Sequence, residues 1–280
     1  MRVLVAGSRG YCGVGIVQAL RSHDCQVIGY DLLPPREPAD LPDEIDIQGD
    51  VGNLADLYRA AAGCQAVINA VVYRGQGLPD GVTPGLRLPG QAGSFDFTAI
   101  GTYQVNAAGT LNLLEAARQH GVQQVVLLSS ARVVWDHFVQ RDGSVVNPGF
   151  QVTAETPLKF SDTYGLSKYI QEQIGRYYAV EYKMSVTLFR PWWVVDGRLD
   201  TNRMGRPLAE DAIPLSPAGM VDRVDLGEAC YQALIHPMDD CQVYYPLAGP
   251  GSARLFDTEK LRRELDWHPV YTFSHLERPI

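Results

Sequence analysis

Val3-Leu4-Val5-Ala6-Gly7-Ser8-Arg9-Gly10-Tyr11-Cys12-Gly13 is the stretch that decides the fold of this chain. Its first four residues form a short apolar run of strand length that stops at a glycine. A GxxGxxG turn follows, and then Val14, Ile16, Val17 and Leu20 stand as candidates for the buried face of a helix. Strand, glycine turn and helix in that order make a phosphate-binding arrangement. Glycines let backbone approach a pyrophosphate closely, and the N-terminal end of a helix favours negative charge. Gly7, Arg9, Gly10, Tyr11 and Gly13 are therefore candidate cofactor-binding residues. The placement of the pattern on a strand–helix junction is what gives it weight.

Outward from that stretch, apolar runs of strand length alternate with longer helical patterns. Strands are expected at Cys25–Tyr30, Ile45–Ile47, Ala66–Ala70, Val122–Ser129 and Ser185–Phe189, with helices over about 53–62, 102–120 and 163–182. Such alternation describes an α/β fold, a doubly wound parallel sheet of Rossmann type covered on both faces. The alternation fades beyond Arg190. The expected division is a cofactor-binding domain over 1–190 and a small C-terminal substrate lobe over 191–280, interleaved with the sheet. Two long connections, 74–98 with six Gly and three Pro, and 135–160, leave the carboxyl ends of strands, where open α/β sheets place ligands. Each is either a functional loop or a solvated insertion.

The second strand leads into Asp31, 24 residues after Gly7. A carboxylate there accepts hydrogen bonds from both adenosine ribose hydroxyls and repels a 2′-phosphate, which favours NAD over NADP. Arg9 argues the other way, because a guanidinium in the glycine loop is a 2′-phosphate ligand. Asp50-Val51 and Asn69-Ala70 close the third and fourth strands and complete the cofactor-side candidates.

Tyr164-Gly165-Leu166-Ser167-Lys168 sets a phenol and an ammonium four residues apart on one helix face. Fourteen tyrosines and four lysines in 280 residues leave well under one such pair to chance. A free phenol is a poor base near neutrality, and a cation beside it lowers its pKa enough for proton exchange with a substrate hydroxyl. An exposed helix pair is the plain alternative. Val125-Val126-Leu127-Leu128-Ser129-Ser130 brings two hydroxyls to a strand end, where one orients a reacting oxygen or simply closes a turn.

Together these residues resemble the extended short-chain dehydrogenase/reductases, and within them the NAD-dependent epimerase/dehydratase family. Val105-Asn106-Ala107-Ala108-Gly109-Thr110-Leu111-Asn112-Leu113-Leu114-Glu115-Ala116-Ala117 is similar to the family's NVxGTxNLLEAA helix, and Ser129-Ser130-Ala131-Arg132-Val133 to its SSxxV element. Thr156-Pro157-Leu158, Asp257-Thr258-Glu259-Lys260-Leu261 and Glu264-Leu265-Asp266-Trp267-His268-Pro269 are also family-like. The resemblance implies Tyr164 as acid/base, Lys168 as the group that lowers its pKa and holds the nicotinamide ribose, and Ser130 as the polarising hydroxyl. It implies Asn106 in a proton relay, Asp50 against adenine and Pro191 beside the cofactor. It also implies a homodimer, through the helices beginning near 102 and 163. Departures are Val133-Val134-Trp135 for the family's VYG, Trp193 for the Asn of RxxNVYGP, and Ala131-Arg132 where dehydratases carry Asp-Glu. Dehydration of a nucleotide sugar is thereby disfavoured, and the compact lobe is somewhat similar to that of uronate dehydrogenases.

Composition sets the outer bounds. With 32 acidic and 24 basic residues the net charge is −8, which disfavours nucleic acid or an anionic membrane as partner. Five cysteines without CxxC spacing and six histidines without clustering predict neither disulfides nor a metal site. With no apolar run of spanning length and no signal-peptide pattern, the expected location is the cytoplasm. Trp135, Trp192 and Trp193 make either an aromatic wall for substrate or lobe packing. Arg132 and Arg190 are candidate carboxylate or phosphate ligands, Arg190 with a structural role as the alternative. Cys12 reads as packing, and Asp225-Leu226-Gly227-Glu228 as a helix-capping box. The expectation is an NAD-dependent oxidoreductase acting on a secondary alcohol of a small-molecule sugar or sugar derivative. An epimerase is the first alternative and a non-catalytic dinucleotide-binding regulator the second.

Overall fold

The computed structural model describes residues 1–34, 45–73, 99–139, 144, 146–210 and 217–277; the expected 74–98 connection lies outside them. Their strands are β1 (Arg2–Ala6), β2 (Gln26–Asp31), β3 (Ile45–Gln48), β4 (Ala66–Asn69), β5 (Gln124–Leu128), β6 (Ser185–Phe189), β7 (Trp193–Val195), β8 (Met220–Asp222) and β9 (Cys241–Tyr244). Their α-helices are α1 (Tyr11–Ser22), α2 (Leu54–Ala61), α3 (Ala99–Thr102), α4 (Gly109–Gln119), α5 (Thr163–Tyr182), α6 (Arg223–Ile235), α7 (Ser252–Leu255) and α8 (Glu259–Leu265).

Seven strands form one sheet in the order β3-β2-β1-β4-β5-β6-β9, every neighbouring pair parallel. The order reverses between β1 and β4, so their carboxyl ends, Gly7 and Ala70, flank the switch point where such sheets bind ligands. Alternate side chains of β1 enter two cores. Leu4 and Ala6 join the face covered by α2, α4 and α5, while Val3 and Val5 join the face covered by α1, α6 and α8. Burial on both faces explains why β1 reads as an unbroken apolar run.

The sheet crosses the division expected at residue 190. Strand β9 pairs with β6, Leu188 opposite Val243, and α6 lies against α1 on the sheet's second face. Outside these layers, β7 and β8 form a small parallel ribbon, and Val195, Leu208, Met220, Phe273 and Leu276 form a compact core beside it. The expected 102–120 helix is interrupted. Tyr103–Ala108 is a π-helical turn between α3 and α4, and the Thr110 hydroxyl donates to the Asn106 carbonyl at 2.7 Å, competing with the regular ladder. The cap of α6 is also displaced from expectation. Asp222 accepts the Val224 and Asp225 backbone N–H groups, while Asp225 sits inside the helix and accepts from Val270 and Tyr271. Among the described residues no helix is long and apolar enough to cross a membrane, and no cluster of metal-ligating side chains occurs.

Candidate active site

The glycine turn is shaped by close approach. Gly7 has φ +81°, and a Cβ there would lie 2.8 Å from the Ala70 carbonyl carbon, so the turn presses against the end of β4. Helix α1 then starts with Gly10 as N-cap, which gives no side-chain bond, and has no acidic residue in its first turn. Helices α2, α5 and α6 are instead capped by Asn53, Asp162 and Asp222. The uncapped end of α1 fits a pyrophosphate.

Asp31 and Arg9 sit together at the end of β2 and resolve the conflict between them. The Asp31 carboxylate accepts the Arg9 backbone N–H at 2.9 Å and the Leu33 N–H at 3.0 Å. The Arg9 guanidinium turns away to Asp46, donating from Nε at 2.8 Å, and closes a further contact on the Leu33 carbonyl. With its side chain buried and its charge matched, Arg9 is not presented to a 2′-phosphate. Asp50 is exposed and accepts the Gly52 N–H, Val51 is buried with its carbonyl bonded by Asn112, and the buried Pro191 receives Ala131 N–H on its carbonyl. Asn69 donates to Thr110 and accepts from Val71. Tyr11 is half-buried under the Arg223 guanidinium, and burial pushes its phenol up to about 12.

Ser130, Tyr164 and Lys168 come together beyond the end of β5. Ser130 caps the 3-10 turn Ala131–His137 and shares a hydrogen bond with the Tyr164 phenol that favours its ionised form. Asp162, the N-cap of α5, accepts the Gly165 N–H at 2.6 Å and so fixes the turn that carries Tyr164. Lys168 is 2% exposed, and its Nζ donates to the Leu128 carbonyl at 2.8 Å and to Gln171 Oε1 at 3.0 Å. Its Nζ lies 5.9 Å from the centre of the Tyr164 ring. Burial sets both ionisations, pushing Tyr164 up to about 12 and Lys168 down to about 8. The depression of the Tyr164 pKa expected from the sequence is thus supplied by Ser130, and desolvation outweighs it. Asn106, in the π-helical turn, donates to Ser167 Oγ at 3.0 Å and accepts the Tyr73 N–H at 3.0 Å; Ser167 in turn donates to the Tyr164 carbonyl. It straps α5 to the segment after β4.

The other candidates are engaged within the protein. Arg190 is held by Glu172 through two bonds of 2.8 Å, wholly buried, and Arg132 pairs with Asp162 while lying over Trp135. Trp135 and Trp192 pack edge to face, centroids 4.9 Å apart, in an aromatic core with Phe138 and Phe256. Trp193 packs on the Val195 cluster. Sequence reasoning missed Glu172, Gln171 and Thr110. The available signal was spacing, since Gln171 and Glu172 fall three and four residues past Lys168 on one helix face.

Residues 94–204 match the model of the NAD dependent epimerase/dehydratase family. A 3-beta-hydroxysteroid dehydrogenase of Mycolicibacterium neoaurum is 28% identical over 172 residues, 61% of this chain and 42% of that protein. A uronate dehydrogenase of Pseudomonas putida is 24% identical over 189 residues, 68% of this chain and 59% of that one. This chain spans about two fifths of the length of the first curated relatives it matches. Among solved structures, uronate dehydrogenase from Agrobacterium tumefaciens aligns at a TM-score of 0.68 and 19% identity, covering 100% of this chain and 90% of that one. DesIV, a dTDP-glucose 4,6-dehydratase from Streptomyces venezuelae, aligns at 0.72 and 19% identity over 98% and 94%. These two likenesses speak to the fold. The family likeness covers residues 94–204, about two fifths of the chain, and takes in Ser130, Tyr164 and Lys168.

Proposed function

We propose that this chain is an NAD-dependent dehydrogenase that oxidises a secondary alcohol of a sugar or sugar derivative. The observation that carries the reading is the hydrogen bond between Ser130 and Tyr164, with Lys168 buried one helical turn behind it. The uncapped end of α1, the Gly7 cradle, Asp31, Asp50, Val51, Ala70, Lys168 and Pro191 are the residues that would hold the cofactor, whose nicotinamide supplies the hydride acceptor when bound. Tyr164, once ionised, takes the proton of the reacting hydroxyl, and Ser130 turns its single proton from the phenolate to the substrate oxygen. The Arg9–Asp46 pair supports NAD over NADP, because it removes the nearest described guanidinium from Asp31. The chain pairs with a second copy through the exposed Ile100, Tyr103 and Leu111 on one side and Leu166, Tyr177 and Val180 on α5. Five free thiols suit a reducing compartment such as the cytoplasm.

The test is a substrate screen with the purified protein. NAD and NADP are each offered with uronic acids, free sugars, nucleotide sugars and a 3β-hydroxysteroid, following NADH and product configuration. Net NADH from a sugar substrate is the expected result. An inverted sugar without NADH replaces the reading by epimerisation, and turnover of the steroid alone replaces the substrate class. Full activity of Tyr164→Phe on every converted substrate would overturn the mechanism.

A further inference from the structure

Lys168 is bonded to an unusual partner. Its Nζ is out of solvent, and beside the Leu128 carbonyl it meets the side chain of Gln171, itself fully buried. The orientation of that amide follows from counting donors. Asn69 must turn its oxygen to the Val71 N–H, so its nitrogen donates to Thr110 Oγ1 at 2.8 Å. Thr110 has one proton, which goes to the Asn106 carbonyl at 2.7 Å. Towards Gln171, 3.1 Å away, Thr110 Oγ1 is therefore an acceptor, which fixes Gln171 Nε2 against Thr110 and Oε1 against Lys168.

We infer that Gln171 is the positioning residue of Lys168, holding the amine between two uncharged carbonyl acceptors so that its third position keeps one orientation whether or not it carries a proton. The inference rests on the reading of Lys168 as part of the catalytic site. An ammonium donates to both carbonyls and keeps one N–H. A neutral amine donates to the same two carbonyls and keeps a lone pair in that place. Loss and gain of the proton therefore leave the hydrogen-bond frame intact. The charged and titratable groups around the amine are few. Tyr164 and Glu172 share its helix, Cys12 approaches from α1, and the Glu172 carboxylate is matched by Arg190 from the end of β6. Burial holds Lys168 down at about 8, close to the range in which an alcohol oxidation is run. A carboxylate at position 171 would stabilise the ammonium and keep the proton in place.

The chain has four lysines, so Lys168 can be watched directly. Protein labelled with 13C at lysine Cε gives four resonances, assigned by the loss of one in Lys168→Arg. Titration of the wild type, Gln171→Glu and Gln171→Leu is read beside the pH profile of kcat, with circular dichroism checking the fold. We expect Gln171→Glu to raise the Lys168 midpoint by about 1 to 2 pH and Gln171→Leu to lower it. The limb of the kcat profile that follows Lys168 should move in the same directions. A merely structural role would not produce opposite shifts from two variants. An unchanged midpoint in both folded variants overturns the inference. Shifted midpoints with an unmoved kcat profile leave the Gln171–Lys168 pairing standing and overturn the catalytic reading of Lys168.

Discussion

The Glu172 carboxylate takes both arms of the Arg190 guanidinium at 2.8 Å, and the Ser129 hydroxyl donates to the same carboxylate at 2.6 Å. Three elements, α5, β6 and the end of β5, are thus joined at one buried point directly behind Lys168 and Ser130. Breaking one side leaves a charge buried without its partner. Glu172→Ala should cost about 3–5 kcal/mol of stability in urea unfolding. Replacing both residues by apolar ones of similar volume, Glu172→Leu with Arg190→Met, should recover most of that loss.

Ser130 and Tyr164 predict a pH dependence. Burial raises the phenol, and the Ser130 bond is the interaction that opposes it. The phenol must give up its proton to act as base, so alcohol oxidation should accelerate as pH rises through the alkaline range. Ser130→Ala should displace that rise to higher pH. Tyr164→Phe should lower kcat by about 10²-fold or more while leaving NAD affinity, read by calorimetry, near the wild-type value.

The proposed selection of NAD over NADP rests on a contact between residues far apart in sequence, Arg9 and Asp46. Asp46→Ala releases the Arg9 guanidinium beside Asp31. The ratio of NADP to NAD affinity should then rise by about tenfold or more, because a freed guanidinium is a bidentate phosphate ligand. Equal ratios in variant and wild type would show that Arg9 has no part in the selection.

Asp225 links stability to pH. Burial raises its carboxyl from 3.8 to about 6, although Val270 and Tyr271 N–H groups partly offset this. A folded pKa above the unfolded one means stability that is full below about pH 4 and is lost as pH rises through about 6. The contribution is about 3 kcal/mol. Thermal unfolding of the wild type minus that of Asp225→Asn, followed from pH 4 to 7, should show the wild type losing ground as pH rises.

The sheet and the placing of Tyr164 and Lys168 on one helix face were legible because each rests on local pattern. The Val3–Ala6 run and the glycine turn declare β1 and α1, and the helix carrying Tyr164 and Lys168 spans 163–182 as its periodicity implied. Strand β9 was not legible, since Cys241-Gln242-Val243-Tyr244 is a short edge strand without clear alternation and is defined by pairing with β6. The partners of Arg190, Arg132 and Arg9 were equally hidden. Each guanidinium looks like a free ligand in sequence, and only tertiary packing brings Glu172, Asp162 and Asp46 to it. The π-helical turn before α4, beside the Thr110 to Asn106 bond, is a local departure that no hydrophobic period encodes.

Helices α1 and α6 meet backbone to backbone at Gly15 and Gly227. A Cβ on Gly15 would lie 2.2 Å from the Arg223 carbonyl oxygen, and one on Gly227 would lie 2.6 Å from the Gly15 carbonyl oxygen. The first helix of the chain is therefore seated on a surface that is synthesised more than two hundred residues later. Closing so distant a contact is slow compared with forming the local turns on either side. A growing chain that has not reached α6 has its glycine turn but not the backing that fixes it. Competence to bind a dinucleotide thus waits on residues 223–235 rather than on the glycine turn alone.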